Sequence, residues 1–253
     1  MRSAWTRYFI YTLMMLLLLN LNVFAETLPV HAAEITQDEP SSPTVNNGWV
    51  QENNNWYFYK AGKLLKNQIC GNSSGGYYYV DEEGIRVDDP NMNQAVQSIR
   101  KYTKPGYSKA KKLDVCWRKI VKTCRFKNIG DVTKVKASDM PGYTKRFFKK
   151  KSGNCYCHAA TLGYMAKALG YKKIRVVRGR LTRKYANEYL YSDHGWLQIK
   201  KGDKWYIYDL TMIRRWPKRP FVNVTKKKYY KVFSLTPKKN FYLKTSAGEV
   251  IWK

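Results

Sequence analysis

Cys155, Cys157 and His158 fall within four positions of one another in SGNCYCHAATLGYMAKALG, residues 152–170. Three chemistries use such side chains: a metal site, a dithiol redox pair, or one thiolate nucleophile. A structural zinc ion needs three or four ligands converging tetrahedrally. Residues two apart on a helix diverge instead, and past the N-terminal segment only His158 and His194 offer imidazoles. No metal and no other cofactor is therefore expected. A Cys-x-Cys redox pair would strain a helical backbone, and no second motif supports it. A single thiolate fits best, because unpaired N–H groups and the helix dipole at an N-terminus favour the anion.

The elements that must position this chemistry are legible on either side. Asn154 or Ser152 is a helix N-cap and Gly170 a terminal glycine, so a helix is predicted over residues 155–169. Cys155, Ala159, Leu162, Ala166 and Leu169 then form one apolar stripe, with Cys157 about 200° around the helix from Cys155. Further on, DHGWLQIKKGDKWYIYDLT reads as two strands around a Lys-Lys-Gly-Asp turn. A turn centred on Lys201 and Gly202 would set His194 directly opposite Asp209, and Gln198 opposite Trp205. Cross-strand Cβ atoms then lie about 5 Å apart, close enough for Asp209 to fix the imidazole tautomer. Asp193 would point to the other face, and His158 reads as a surface or capping contact. Cys155, His194 and Asp209 thus make a nucleophile, a base and an orienting acid, the set used for acyl transfer.

Gly-Asn-Cys opening a helix, His-Gly-Trp on a strand and Asp-Leu-Thr ending the next strand together resemble the transglutaminase-like superfamily, whose usual wording is Gly-x-Cys, His-Ala-Trp and Asp-Pro-Thr. The resemblance covers roughly residues 108–212 and also takes in the helix LDVCWRKIVKTCRF and the strand IRVVRGRL. It implies a papain-like triad of Cys155, His194 and Asp209. Gly195 and Leu210 depart from the family wording without removing a polar group. The Cys155 N–H would be the first oxyanion donor, with the region of Tyr143 a candidate for the second.

Residues 48–90 carry an aromatic repeat. Trp56-Tyr57-Phe58-Tyr59 is echoed by Tyr77-Tyr78-Tyr79-Val80, each followed by a glycine turn. The pattern is similar to the cell-wall-binding repeats of Gram-positive surface proteins, the choline- and glucan-binding type. Such a likeness implies that Trp49, Trp56, Tyr57, Tyr59, Tyr77, Tyr78 and Tyr79 form a stacking surface for sugars or choline cations. Trp196 joins them as a substrate-facing residue. Only two units are visible, so a spacer or a packed extension of the main domain stays open.

Ahead of the repeat, two arginines, an apolar run from Tyr8 to Leu21 and small residues at Ala25, Ala32 and Ala33 read as a signal peptide, residues 1–33. Cleavage after Ala25 is as consistent as cleavage after Ala33. The run is shorter than the about 20 apolar residues of a membrane span, so no stable span is expected once it is removed. Residues 34–47 are a Pro- and Ser-containing linker. Charge divides the chain: residues 1–90 hold 6 Lys+Arg against 10 Asp+Glu, and residues 91–253 hold 41 against 8. That second balance calls for an anionic neighbour or for tolerance of strong self-repulsion; after export the abundant anions are wall polymers, lipid headgroups and acidic glycans, so no nucleic-acid partner is expected. Cys116 and Cys124, about 12 Å apart along one helix, are packing residues and not disulfide partners.

These readings make an α+β fold: a transglutaminase-like, papain-like domain over 91–253, with the cysteine helix on an antiparallel sheet, and a small N-terminal β-hairpin module. The expected protein is secreted to the cell wall or extracellular surface and attacks amide bonds of proteins or peptides, by hydrolysis or by cross-linking. A non-catalytic wall-binding or adhesion protein with a vestigial triad is the alternative.

Overall fold

The computed structural model describes residues 47–185, 188–229 and 233–253. The expected signal peptide, and the linker up to residue 46, lie outside the described residues. Among the described residues no helix is long and apolar enough to cross a membrane.

The chain begins with β1 (Asn47–Glu52) and β2 (Asn55–Lys60), joined by Asn53 and Asn54 at φ 48° and 65°. Asparagine tolerates this left-handed backbone, and two such residues make the tight turn whose twist suits a hairpin. β3 (Lys63–Leu64) completes a three-stranded sheet, and β4 (Gln68–Asn72) pairs with β5 (Gly76–Val80) as a separate hairpin. Four helices follow: α1 (Pro90–Tyr102), α2 (Lys109–Thr123), α3 (Met140–Lys150) and α4 (Cys155–Ala168). Asp89 and Ser108 cap the first two by accepting the N–H groups of Met92 and Lys111. A short parallel bridge between β6 (Arg125–Phe126) and β7 (Ser152–Gly153) draws the end of α2 to the start of α4.

The rest builds a six-stranded antiparallel sheet from β8 (Ile174–Tyr185), β9 (Glu188–Lys201), β10 (Lys204–Tyr208), β11 (Val222–Val224), β12 (Phe233–Ser246) and β13 (Glu249–Trp252). Its order is β11-β10-β9-β8-β12-β13. Two short helices, α5 (Leu210–Arg215) and α6 (Lys226–Tyr229), flank β11 in the chain. The fold is mixed α+β, with the cysteine-bearing helix on an antiparallel sheet and β hairpins at the N-terminal end of the described chain.

Three expectations change. The α4 helix has no solvent face: all fourteen residues are buried, enclosed by α1, α2 and α3 on one side and β8 and β9 on the other. A helix apolar nearly all round is a central one. Even Lys167 is 1% exposed, its ammonium 3.1 Å from the Glu82 carboxylate. The hairpin register also differs by two. Lys201 pairs with Lys204 and Tyr208 with Leu197, because the turn is Gly202-Asp203 with Gly202 at φ 54°. β10 ends at Tyr208, so Asp209 leaves the ladder and caps α5 instead of facing His194 across it. A shift of two preserves side-chain parity, which keeps Asp209 on the side of β9 that carries His194.

The third change concerns the aromatic repeat. The two sequence units fold into unlike sheets, and Ile85 of the second bridges to Tyr57 of the first. Arg86 lies over the rings of Trp49, Trp56 and Tyr78 at 5.8, 5.2 and 4.5 Å, and Arg100 over Tyr77 at 3.2 Å. Tyr57 and Tyr59 are half-buried, and Tyr79 is fully buried in the main core. The cations that occupy the rings therefore come from this chain. The hairpins are also tied to the helices and sheet: Asp81 accepts the Gly248 N–H at 2.9 Å, and Asn67 donates to the Gly170 carbonyl at 3.2 Å. The described residues form one compact unit.

Candidate catalytic site

Asn154 sets the start of α4. Its side-chain oxygen accepts the N–H groups of Tyr156 at 3.0 Å and Cys157 at 3.2 Å, and its amide donates to the Ile129 carbonyl at 2.9 Å. The Cys155 N–H, at the first helical position, has no acceptor among the described residues. A bare amide and the positive end of the helix dipole thus meet at one sulfur.

Cys157 does not compete. Its sulfur fills the space beside Gly153, where an added Cβ would sit 2.1 Å from it. Burial pushes its thiol up to about 12, and likewise raises Cys70 and Cys116 to about 12 and Cys124 to about 11. All five cysteines are free, so Cys116 and Cys124 pack unpaired, as their spacing predicts.

His194 joins Asp209 through Nε2 and Oδ2 at 2.7 Å, with both side chains buried. Asp209 is held on both oxygens. Oδ1 accepts the Met212 N–H at 3.0 Å as the α5 cap, and Oδ2 also accepts the Tyr229 hydroxyl at 2.8 Å. With Nε2 engaged on Asp209, Nδ1 is the ring nitrogen left free, and Cys155 is near enough to favour charge on the imidazole. Burial opposes charge on His194. The charge and hydrogen bond of Asp209, then those of Cys155, outweigh it and raise the imidazole to about 10. The balance favours the charged form of the imidazole.

The neighbouring polar groups face elsewhere. Asp193 accepts Lys238 at 3.2 Å. His158, expected at the surface, is 1% exposed and its Nδ1 pairs with the Thr211 hydroxyl at 3.1 Å. Burial, then the nearby Arg214, lowers it to about 4, so it stays neutral. Trp196, expected to face substrate, is 1% exposed and stacks on His194 with ring centres 6.0 Å apart. It has no surface for a ligand and instead walls the imidazole. Tyr143, the region considered for a second oxyanion donor, stacks on Tyr156 at 5.6 Å. No group of three His, Cys, Asp or Glu side chains converges on a metal position among the described residues.

Both departures from the family wording acquire reasons. An alanine Cβ at Gly195 would lie 2.6 Å from the Tyr156 ring, which fills that space. Leu210 is the first residue of α5, a position where proline is merely preferred. Tyr229 is the site residue that sequence reasoning missed. It lies twenty positions beyond Asp209 in a basic, aromatic segment, and only the fold brings it back.

No protein-family model matches the chain, and no curated protein matches it. A solved structure of a presumed cysteine protease from Cytophaga hutchinsonii aligns with 60% of this chain at 14% identity and a TM-score of 0.33. The alignment spans 50% of that protein's own chain. A likeness this low adds nothing to what the geometry carries.

Proposed function

We propose that this protein is a cysteine acyl-transfer enzyme of transglutaminase-like type, acting on amide bonds of proteins or peptides. The observation that supports it is the buried His194–Asp209 pair beside Cys155, whose N–H is unpaired at the start of α4. The Cys155 thiolate attacks the amide carbonyl carbon, and the carbonyl oxygen takes the negative charge towards the Cys155 N–H. His194 then gives its Nδ1 proton to the nitrogen as the C–N bond breaks, leaving a thioester and a free amine. Water resolves the thioester to a carboxylic acid, or a second amine resolves it to a new amide; His194, now neutral, takes the proton from either. Asp209 holds the ring and stabilises its charge throughout.

In the same reading, residues 1–33 direct export and the strongly basic region from residue 91 onward associates the enzyme with anionic polymers of the cell wall. The test is iodoacetamide labelling near neutral pH, resolved by peptide mass spectrometry. Cys155 should label while Cys157 does not, and the label should fall when His194 is changed to alanine. Equal labelling of the two cysteines, or no dependence on His194, would favour a vestigial triad in a wall-binding protein.

A further inference from the structure

At the other end of α4 a cavity of about 410 Å³ opens between the start of β8, the β9-β10 hairpin and β12. Fourteen helical residues at 1.5 Å each put it about 20 Å from Cys155, so it is separate from the catalytic site. Beneath it Ile174 and Leu243, each 1% exposed, belong to the core. Its wall is aromatic, made by Trp205 and the exposed Tyr242. One side chain locks that wall. Arg175 lies over the Trp205 ring at 4.1 Å, donates to the Tyr242 hydroxyl at 3.0 Å, and is anchored on Gln198 at 2.8 Å. The rim is Lys172, Lys173, Lys200 and Lys244, none of which has a carboxylate partner among the described residues. Three of these lysines also line an adjoining hollow of about 470 Å³, which Lys109 and Tyr171 extend.

We propose that this groove is a binding site for an acidic polysaccharide. The C–H faces of a sugar suit a rigid aromatic wall, and the unpaired lysines suit carboxylate, sulfate or phosphate substituents along the chain. A concave site with low-dielectric walls concentrates the field of its lysines on whatever enters it. Two linked hollows with shared lysines fit a linear polymer better than a single small anion. Bound there, the polymer tethers the enzyme without touching the nucleophile. The choice of a polysaccharide over a nucleic acid rests on the proposed export; the groove itself does not depend on the catalytic reading.

The probe is a polygalacturonate octamer, titrated calorimetrically into the full chain at physiological salt, with a single-stranded oligothymidylate of equal charge in parallel. Changing Lys172, Lys173 and Lys244 to alanine should weaken octamer binding by about tenfold or more. Changing Lys145, Lys149 and Lys150, exposed on α3, removes the same charge and should leave it within about twofold. Equal losses in the two triple variants would reduce the site to general charge attraction and overturn it. Tighter binding of the oligothymidylate than of the octamer would overturn the choice of polymer. Iodoacetamide labelling of Cys155 should be the same in both variants, so a failed groove and a failed triad give different results.

Discussion

The hairpin module and the catalytic array were both announced by conspicuous side chains, yet the fold treats them in opposite ways. In the hairpins the aromatic rings find their cations within the chain, in Arg86 and Arg100, and Tyr79 disappears into the core. At the head of α4 His194 and Asp209 pair with each other, but the Cys155 N–H finds nothing among the described residues. Residue type states what a side chain can do; packing decides whether its partner is internal or must come from outside. In the hairpins the filled rings are architecture, whereas the donor beside the thiol is left open to an outside partner.

The comparison breaks most decisively at Asp209. Asparagine there keeps the shape but loses the charge that holds His194 as an imidazolium, and acyl transfer should fall by about a hundredfold or more. The check is turnover together with His194-dependent labelling of Cys155; a loss below about threefold would mean that the array is not a working triad. Next in size is Gly195→Ala, which drives a Cβ into the Tyr156 ring and should cost about 1–3 kcal/mol in urea unfolding. A Tyr156→Leu second change that recovers part of that loss confirms the shared space, and strict additivity denies it.

Ionisation gives a third handle. His194 is raised from its usual 6.5 to about 10 by Asp209 and Cys155 against the opposing effect of burial. A raised histidine contributes stability that is complete below the unfolded value and disappears as pH climbs through the folded one. The stability gap between the native chain and His194→Ala should therefore hold up to about pH 6.5 and narrow between there and about pH 10. A gap that widens over this range would mean that His194 is buried neutral. The smallest effect belongs to the hairpins: Arg86→Ala removes a cation from three rings and should cost about 1 kcal/mol in the same unfolding measurement. An unchanged midpoint would show those rings to be held by packing alone.

Much of the catalytic array was legible because its parts are local. A cap residue before Cys155, a histidine and an aspartate on either side of one turn, and alternation along a strand are short-range signals. The register slipped by two because Lys201-Gly202 and Gly202-Asp203 are both plausible turns, and only the glycine's left-handed φ chooses between them. The pairing survived because two is the period of a strand. What stayed hidden was long-range. Tyr229 reaches Asp209 only after helix α5, strand β11 and helix α6, Lys167 resembles a surface lysine until Glu82 arrives from eighty-five residues away, and no local pattern distinguishes rings that will be filled by their own arginines.

That Lys167–Glu82 contact bears on where the chain can be cut. A protein trimmed to begin after residue 90 would leave an ammonium stranded inside the central helix bundle, strip Asn67 from the Gly170 carbonyl and open the pocket that Tyr79 fills. Removing Glu82 leaves the buried Lys167 ammonium without its carboxylate. The hairpins are thus not a portable tag that evolution or an engineer could move to another protein; they are a wall of the domain they precede.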